Sequence, residues 1–262
     1  MQQRITQPFP CAVRLRGYAL ALWLGLSSTV ALAEPVNLAT IIAQHVAARG
    51  NSAQALDQVI LEQSGQMSFP GSTLKIAVHM WTGQGKQRSE ATMQGLTQIS
   101  SYDGVKGFKV EPFEGRKDAA ALPPDEINII KVDADLEWPF VHAEQKGNRL
   151  IWLGSEEIDG GLAYGIRVDL KDGNQRTYWL DADTFMVIRE VSKNKLHGVD
   201  FESESDYSDY ERVAGVYVPM AVSSGPKNAS AAQKSTIQFT QATWQPAVAA
   251  SLFSRVVGGG SP

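Results

Sequence analysis

The sequence predicts a mainly β protein, an antiparallel sheet of about ten strands with helices before, within and after it. Two observations carry this expectation. Short runs in which apolar and polar residues alternate recur along most of the chain. Asp-Gly and other glycine-containing turns separate those runs. The clearest case is Gly147 to Val191, which reads as four strands divided at Asp159-Gly160-Gly161, Lys171-Asp172-Gly173-Asn174 and Asp181-Ala182-Asp183-Thr184.

Asp172-Gly173 taken as a two-residue type I′ turn, which needs positive φ at both positions, sets a register. Lys171 then faces Asn174, Asp169 faces Arg176 and Ile166 faces Trp179. Side chains alternate along a strand, so Tyr164, Ile166, Val168 and Trp179 share one apolar face, and Ile151 and Leu153 join it across the preceding turn. Trp152 falls on the other face with Leu150, Arg167 and Tyr178. The Asp169–Arg176 pair lies on that second face too, which argues that it meets water.

The remaining elements follow in chain order. Asn37 is placed to cap a helix over Leu38–Arg49, with Gly50 at its C-terminal cap, and a short helix is expected after Ser52. Strands follow over Val59–Phe69, Thr73–Thr82, Lys86–Gln94, Gln98–Tyr102 and Val105–Phe113. Gly115–Ala121 reads as a loop. Pro123-Pro124-Asp125-Glu126 opens a second helix, since proline suits the first turn and acids complement its dipole. Ile127, Ile130 and Ala134 form its apolar stripe. Trp138-Pro139-Phe140 is a bulky insert before the central strands. Three more strands cover Phe201–Arg212, Val216–Ser223 and Lys234–Trp244, with a short helix at Val248–Phe253 and a disordered Gly258-Gly259-Gly260 tail.

The first 33 of the 262 residues have the pattern of a secretory signal peptide. Arg4, Arg14 and Arg16 give a basic start, Tyr18–Val30 is apolar, and Ala31-Leu32-Ala33 is a small-x-small cleavage site. The apolar run is shorter than the roughly 18–20 residues of a membrane span, which favours cleavage over anchoring. No Arg-Arg pair precedes it, so the general secretory route is expected. The one cysteine, Cys11, leaves with the leader, and the mature chain has neither disulfide nor thiol ligand. Residues 34–262 then form one domain, long enough to bury a substantial core. A net charge of −4 argues against a nucleic-acid partner.

Catalytic motifs are sparse. His45, His79, His142 and His197 are isolated and have no metal-ligand spacing, and His45 reads as a packed residue. No G-x-S-x-G or Walker sequence occurs, and Gly83-Gln84-Gly85 is a turn without the third glycine of a phosphate loop. The acids Asp200, Glu202, Glu204, Asp206 and Asp209 alternate as on the solvent face of a strand, a better reading than calcium ligation. No catalytic residue, metal or cofactor is assigned. A wide sheet with one apolar face and few helices either packs fully or leaves an apolar groove, and periodicity leaves both open.

Four segments resemble the bacterial outer-membrane lipoprotein-sorting family, related to the LolA carriers. They are Tyr102–Phe113 (YDGVKGFKVEPF), Gly154–Tyr164 (GSEEIDGGLAY), Tyr178–Thr184 (YWLDADT), and Tyr207–Tyr210 together with Gly215–Pro219. Phe108 departs from the tryptophan common at its position. The resemblance spans about Leu38 to Phe253. It implies an unclosed antiparallel barrel with helices as a lid, in the periplasm, binding acyl chains of lipid or lipoprotein without catalysis. An envelope transporter is the implied partner. The alternative function is a sensor or adaptor that binds a protein with the same fold. In the register above, the groove would be lined by Ile151, Leu153, Tyr164, Ile166, Val168 and Trp179, with Trp179 against the acyl chain and Trp152 away from it. No residue is matched to the carriers' lid-closing arginine.

The leader reading predicts a mature chain beginning at Glu34. Intact mass of the exported protein checks it, and a full-length species retained in the membrane is the contrary result.

Overall fold

A computed structural model describes residues 37–50 and 56–254; the leader, most of the segment after Ser52 and the glycine tail lie outside them. The described residues form one thirteen-stranded sheet in which every neighbouring pair is antiparallel. Its first meander comprises β1 (Ile60–Ser68), β2 (Lys75–Gly83), β3 (Lys86–Met93), β4 (Leu96–Tyr102), β5 (Gly107–Glu111) and β6 (Arg116–Ala121). The second comprises β7 (Arg149–Ile158), β8 (Gly161–Asp169), β9 (Gln175–Asp181), β10 (Val187–Leu196), β11 (Val199–Val213), β12 (Val216–Pro226) and β13 (Ser235–Gln245). Strands β1 and β13 join the two, so β6 and β7 are the outermost strands among the described residues.

The sheet curls but does not close. Helix α2 (Pro124–Asp133), in the segment between the two edges, packs against β3 and β4 and also against β10, on the far side of β1 and β13. One short helix can touch both only if the sheet bends around it. Wide sheets twist and coil in this way, and register shifts in the β1–β13, β5–β6, β7–β8 and β9–β10 pairs add local bends. The expected open antiparallel architecture is present. β6, read from sequence as a loop, is a strand of mostly exposed residues without apolar alternation. The expected helices around Leu56 and Ser251 are single 3-10 turns.

Helix α1 (Leu38–Arg49) has the predicted caps: Asn37 Oδ1 accepts from Ala39 N at 3.0 Å, and Gly50 has φ 88°. Buried Ile41 and His45 turn it onto the sheet. The inner face beneath α1 is closed by Ile166, Val168, Leu180 and Val187, none measurably exposed, together with Phe140 and Val141 from the segment that crosses the sheet.

Two irregularities overturn the sequence-derived register of the central strands. The 171–174 turn is a three-residue loop: Gly173 N donates to Leu170 O and Leu170 N to Asn174 O, with Gly173 at φ 90°. This is a type I turn closed by a glycine bulge rather than a type I′ turn. It moves β9 by one residue, so Asp169 faces Gln175, Val168 faces Arg176 and Ile166 faces Tyr178. A bulge between Trp152 and Gly154 then shifts β7 as well, pairing Trp152 with Ile166. Since one residue of slip exchanges the faces, Trp152, Tyr178 and Arg176 point inward with Ile166. Ile151 and Trp179 point outward, while Leu153 is 43% exposed at the bulge. Trp179 lies over Gly165, where a β-carbon would stand 2.5 Å from its ring.

Gly50 combines two demands, a left-handed φ and a close approach: a β-carbon there would lie 2.2 Å from Gly215 O. Gly115, also in a left-handed cap, has open space around it. Gly115→Ala is therefore expected to lose about 1 kcal/mol, and Gly50→Ala clearly more. Urea unfolding of both variants measures the difference, and equal losses would mean that the Gly50 contact relaxes at no cost.

Candidate functional site

The inner face has two regions of different character. Under α1 it is a packed core. Under α2 it opens into a cavity of about 490 Å³ between the sheet and the crossing segment. One wall is largely apolar, with Leu61 and Met80 from β1 and β2, Val222 from β12, and Ile237 and Phe239 from β13. The opposite wall, from β9, β10 and β11, is polar. The two alternatives left open by periodicity thus occur side by side.

The polar wall follows from the corrected register. Arg176 and Tyr178 alternate inward on β9, Glu190 and Asn194 on β10, and Tyr207 on β11. Arg176 is 1% exposed. Its Nη1 donates to Asn194 Oδ1 at 2.6 Å, and its Nε lies 2.9 Å from Glu190 Oε1, although that N–H does not point at an acceptor. Tyr207 donates to Glu190 Oε2 at 2.9 Å. Burial raises the Glu190 carboxyl above its ordinary value, with Arg176 opposing the shift. A buried charge needs such partners.

Asp133, at the end of α2, faces this wall. It is exposed and lines the cavity. Burial pushes its carboxyl up to about 6, Arg176 pulls it down and Glu190 adds to the rise. It makes no hydrogen bond or ion pair among the described residues.

The crossing segment is fastened from several sides. Arg49, 3% exposed at the end of α1, donates through Nη1 to Leu136 O and through Nε to Tyr217 O at 3.3 Å. Its guanidinium stacks 5.8 Å from the Trp138 ring. Lys146 Nζ donates to Trp138 O at 3.0 Å and to Asp135 at 2.7 Å, and Asn148 donates to Pro139 O. Trp138 itself is held at φ 69°, and its ring meets those of Tyr178 and Tyr207 edge to face at 5.5 and 5.1 Å.

None of the six residues expected to line a groove borders this cavity. Ile166 and Val168 belong to the packed core, and Tyr164 sits at its rim near Trp152 and Phe185. Ile151, Leu153 and Trp179 are displaced by the register shifts. Arg176, Glu190 and Asp133 were missed because a charged residue was taken to mark the solvent face. The signal available was the alternation of Arg176, Tyr178 and Leu180 along β9. On the outer face, Lys234 Nζ meets Glu204 at 2.5 Å and Asp206, while Arg189 Nε meets Asp206 at 2.6 Å. Glu202, Glu204 and Asp206 thus face cations of this chain, and the described residues contain no group of three or more metal-binding side chains placed to hold an ion.

No family model and no curated protein matches the sequence. The fold does match solved structures. The class it defines is that of the LolA-like half-barrels. A LolA superfamily protein from Nitrosomonas europaea superposes with a TM-score of 0.56 at 12% identity, over 84% of this chain and 99% of the other. A structure described as an outer-membrane lipoprotein-sorting protein domain, from Vibrio parahaemolyticus, gives 0.52 at 11%, over 80% and 95%. A DUF1329 family protein from Desulfovibrio piger gives 0.55 at 11%, over 82% and 96%. At these identities the likeness is one of fold.

His45 adds a pH dependence. Its Nδ1 lies 2.8 Å from Phe185 O, its Nε2 has no partner among the described residues, and burial pulls its pKa down to about 4. A depressed histidine supports the fold fully above its unfolded value of 6.5 and loses that contribution as pH falls toward 4. Asp133, raised from 3.8 to about 6, acts oppositely, since its charged form burdens the fold above 6 and the burden lifts on acidification. His45→Gln is expected to lose less stability than the parent between pH 7.5 and pH 4, by up to ~3 kcal/mol. Thermal melts at the two pH values measure this, and parallel losses would show that His45 titrates in the fold as it does in the unfolded chain.

Proposed function

We propose that this protein is a non-enzymatic carrier that shelters acyl chains of a lipid or lipoprotein in the periplasm, in transport across the cell envelope. The observation that supports the reading best is the cavity under α2. It is of ligand size, bounded by an apolar wall and covered by a segment that is not itself part of the sheet. Transfer of a chain from water to that wall is favourable by about 0.8 kcal/mol per buried CH₂, before the cost of ordering the chain. The leader expected from the sequence and the likeness to a Vibrio parahaemolyticus structure described as a lipoprotein-sorting domain point the same way. The polar wall does not resemble a hydrolytic site: Glu190 is engaged by Arg176 and Tyr207, and His45 lies in the packed core rather than beside a nucleophile.

The corrected register decides which tryptophan reports on the ligand. Trp138 borders the cavity, and Trp179 faces outward over Gly165. Phospholipid brominated along its acyl chain should quench part of the tryptophan fluorescence. That quenching should shrink in Trp138→Phe and persist in Trp179→Phe. Absence of both quenching and lipid, with a stoichiometric protein partner in native mass spectra, would replace the carrier reading by that of a protein-binding sensor.

A further inference from the structure

The cavity's charges restrict what head its ligand can carry. Five charged side chains line it: Arg49, Asp133, Asp135, Arg176 and Glu190. Four are already engaged. Arg49 is bound to two carbonyls and the Trp138 ring, Asp135 to Lys146, and Arg176 and Glu190 to each other. Asp133 is left over, and it is also the member of the trio with Arg176 and Glu190 that stands open to the cavity.

A second group points the same way. Tyr178 is 1% exposed, borders the cavity, and its hydroxyl makes no hydrogen bond among the described residues. On the same wall, the hydroxyls of Ser192 and Ser203 share one hydrogen bond of 2.6 Å and Ser192 Oγ also accepts from Asn194 Nδ2 at 3.4 Å, which leaves acceptor capacity mainly on Ser203. The rings of Trp138, Tyr178 and Tyr207 surround this end of the cavity. An open carboxylate, oxygens able to accept, and aromatic rings together match a cation that donates several hydrogen bonds. An anionic head would instead meet Asp133 and Glu190, while Arg49 is held by two carbonyls and Arg176, although its Nε–H lacks an acceptor among the described residues, is already paired in charge with Glu190.

We propose that the cavity takes an amphiphile with an ammonium head, seated against Asp133 and the Tyr178 hydroxyl, its alkyl chain lying on the Leu61–Met80–Phe239 wall. This rests on the carrier reading and adds the class of head group to it.

Decyl chains ending in ammonium, hydroxyl or carboxylate, compared below micelle formation at pH 7.5 by displacement of a neutral fluorescent acyl probe, test it. The ammonium form should bind about tenfold tighter than the alcohol, the scale of one hydrogen bond to a charged group, and the carboxylate more weakly still. Asp133→Asn, which keeps the shape, should abolish the ammonium preference while leaving alcohol binding within twofold. Glu157→Gln, the same charge change at an exposed site on β7, should leave the preference intact. Equal binding of the three chains, tightest binding of the carboxylate, or a preference that survives Asp133→Asn would overturn the head-group assignment and leave the carrier reading standing. Failure of the neutral probe and of all three chains to bind would overturn both.

Discussion

The arrangement of the interior depends on a buried arginine that has no carboxylate at hydrogen-bonding distance among the described residues. Arg49 is charged at neutral pH even though burial draws its pKa to about 10. A buried charge is costly, and here it is hydrogen-bonded to backbone carbonyls and set against a ring, with Asp135 and Glu137 farther off adding electrostatic support. Those groups come from separate places: Leu136 and Trp138 in the crossing segment, Tyr217 in β12. One side chain thus ties the N-terminal helix, the middle of the sheet and the cover of the cavity together. Because each partner is a carbonyl or a π face, lysine could not reproduce the set, having neither the fork of donors nor the flat face.

The concave face is divided by what stands over it. Where α1 and Phe140 lie against it, apolar side chains meet apolar side chains in a packed core. Where α2 crosses, the sheet supplies Arg176, Glu190 and Asn194, and these satisfy one another before they meet the helix. A polar group that is already partnered can border a cavity without filling it. An apolar side chain there would favour collapse of the cover onto the sheet. The polar wall therefore preserves the space that the opposite, apolar wall needs if it is to receive a chain.

Elements were legible in the sequence to a greater degree than faces. Asn37 and Gly50 bracket α1 as their capping chemistry requires, and Pro124 with Asp125 and Glu126 starts α2 where expected. Such signals are local and survive in any tertiary setting. Face assignment is different, because it accumulates every residue of slip between one turn and the next. Lys171-Asp172-Gly173 is compatible with a two- or a three-residue loop, and the choice between them reverses β9. The bulge around Leu153 has a single mark in the sequence, Gly154 inside a strand, and one glycine does not say which way the register moves. The assumption that Asp169 and Arg176 face solvent then reinforced the wrong parity, since Arg176 is buried with Glu190, a partner from the next strand. β6 was missed because Arg116–Ala121 has no apolar face to bury; backbone pairing to β5 defines it.

The bulge in β7 bears on more than register. An unclosed sheet has two unpaired edges, and a straight edge strand is a template on which another chain can pair. β6 is only six residues long and presents Arg116, Lys117 and Asp118 outward. β7 is longer, but it is kinked at Gly154, with φ 93°, and carries exposed Glu156 and Glu157 just beyond the kink. Neither edge offers a long, flat, uncharged row of amides. The sheet can therefore stay open around its cavity in a crowded compartment without becoming a seed for edge-to-edge polymerisation.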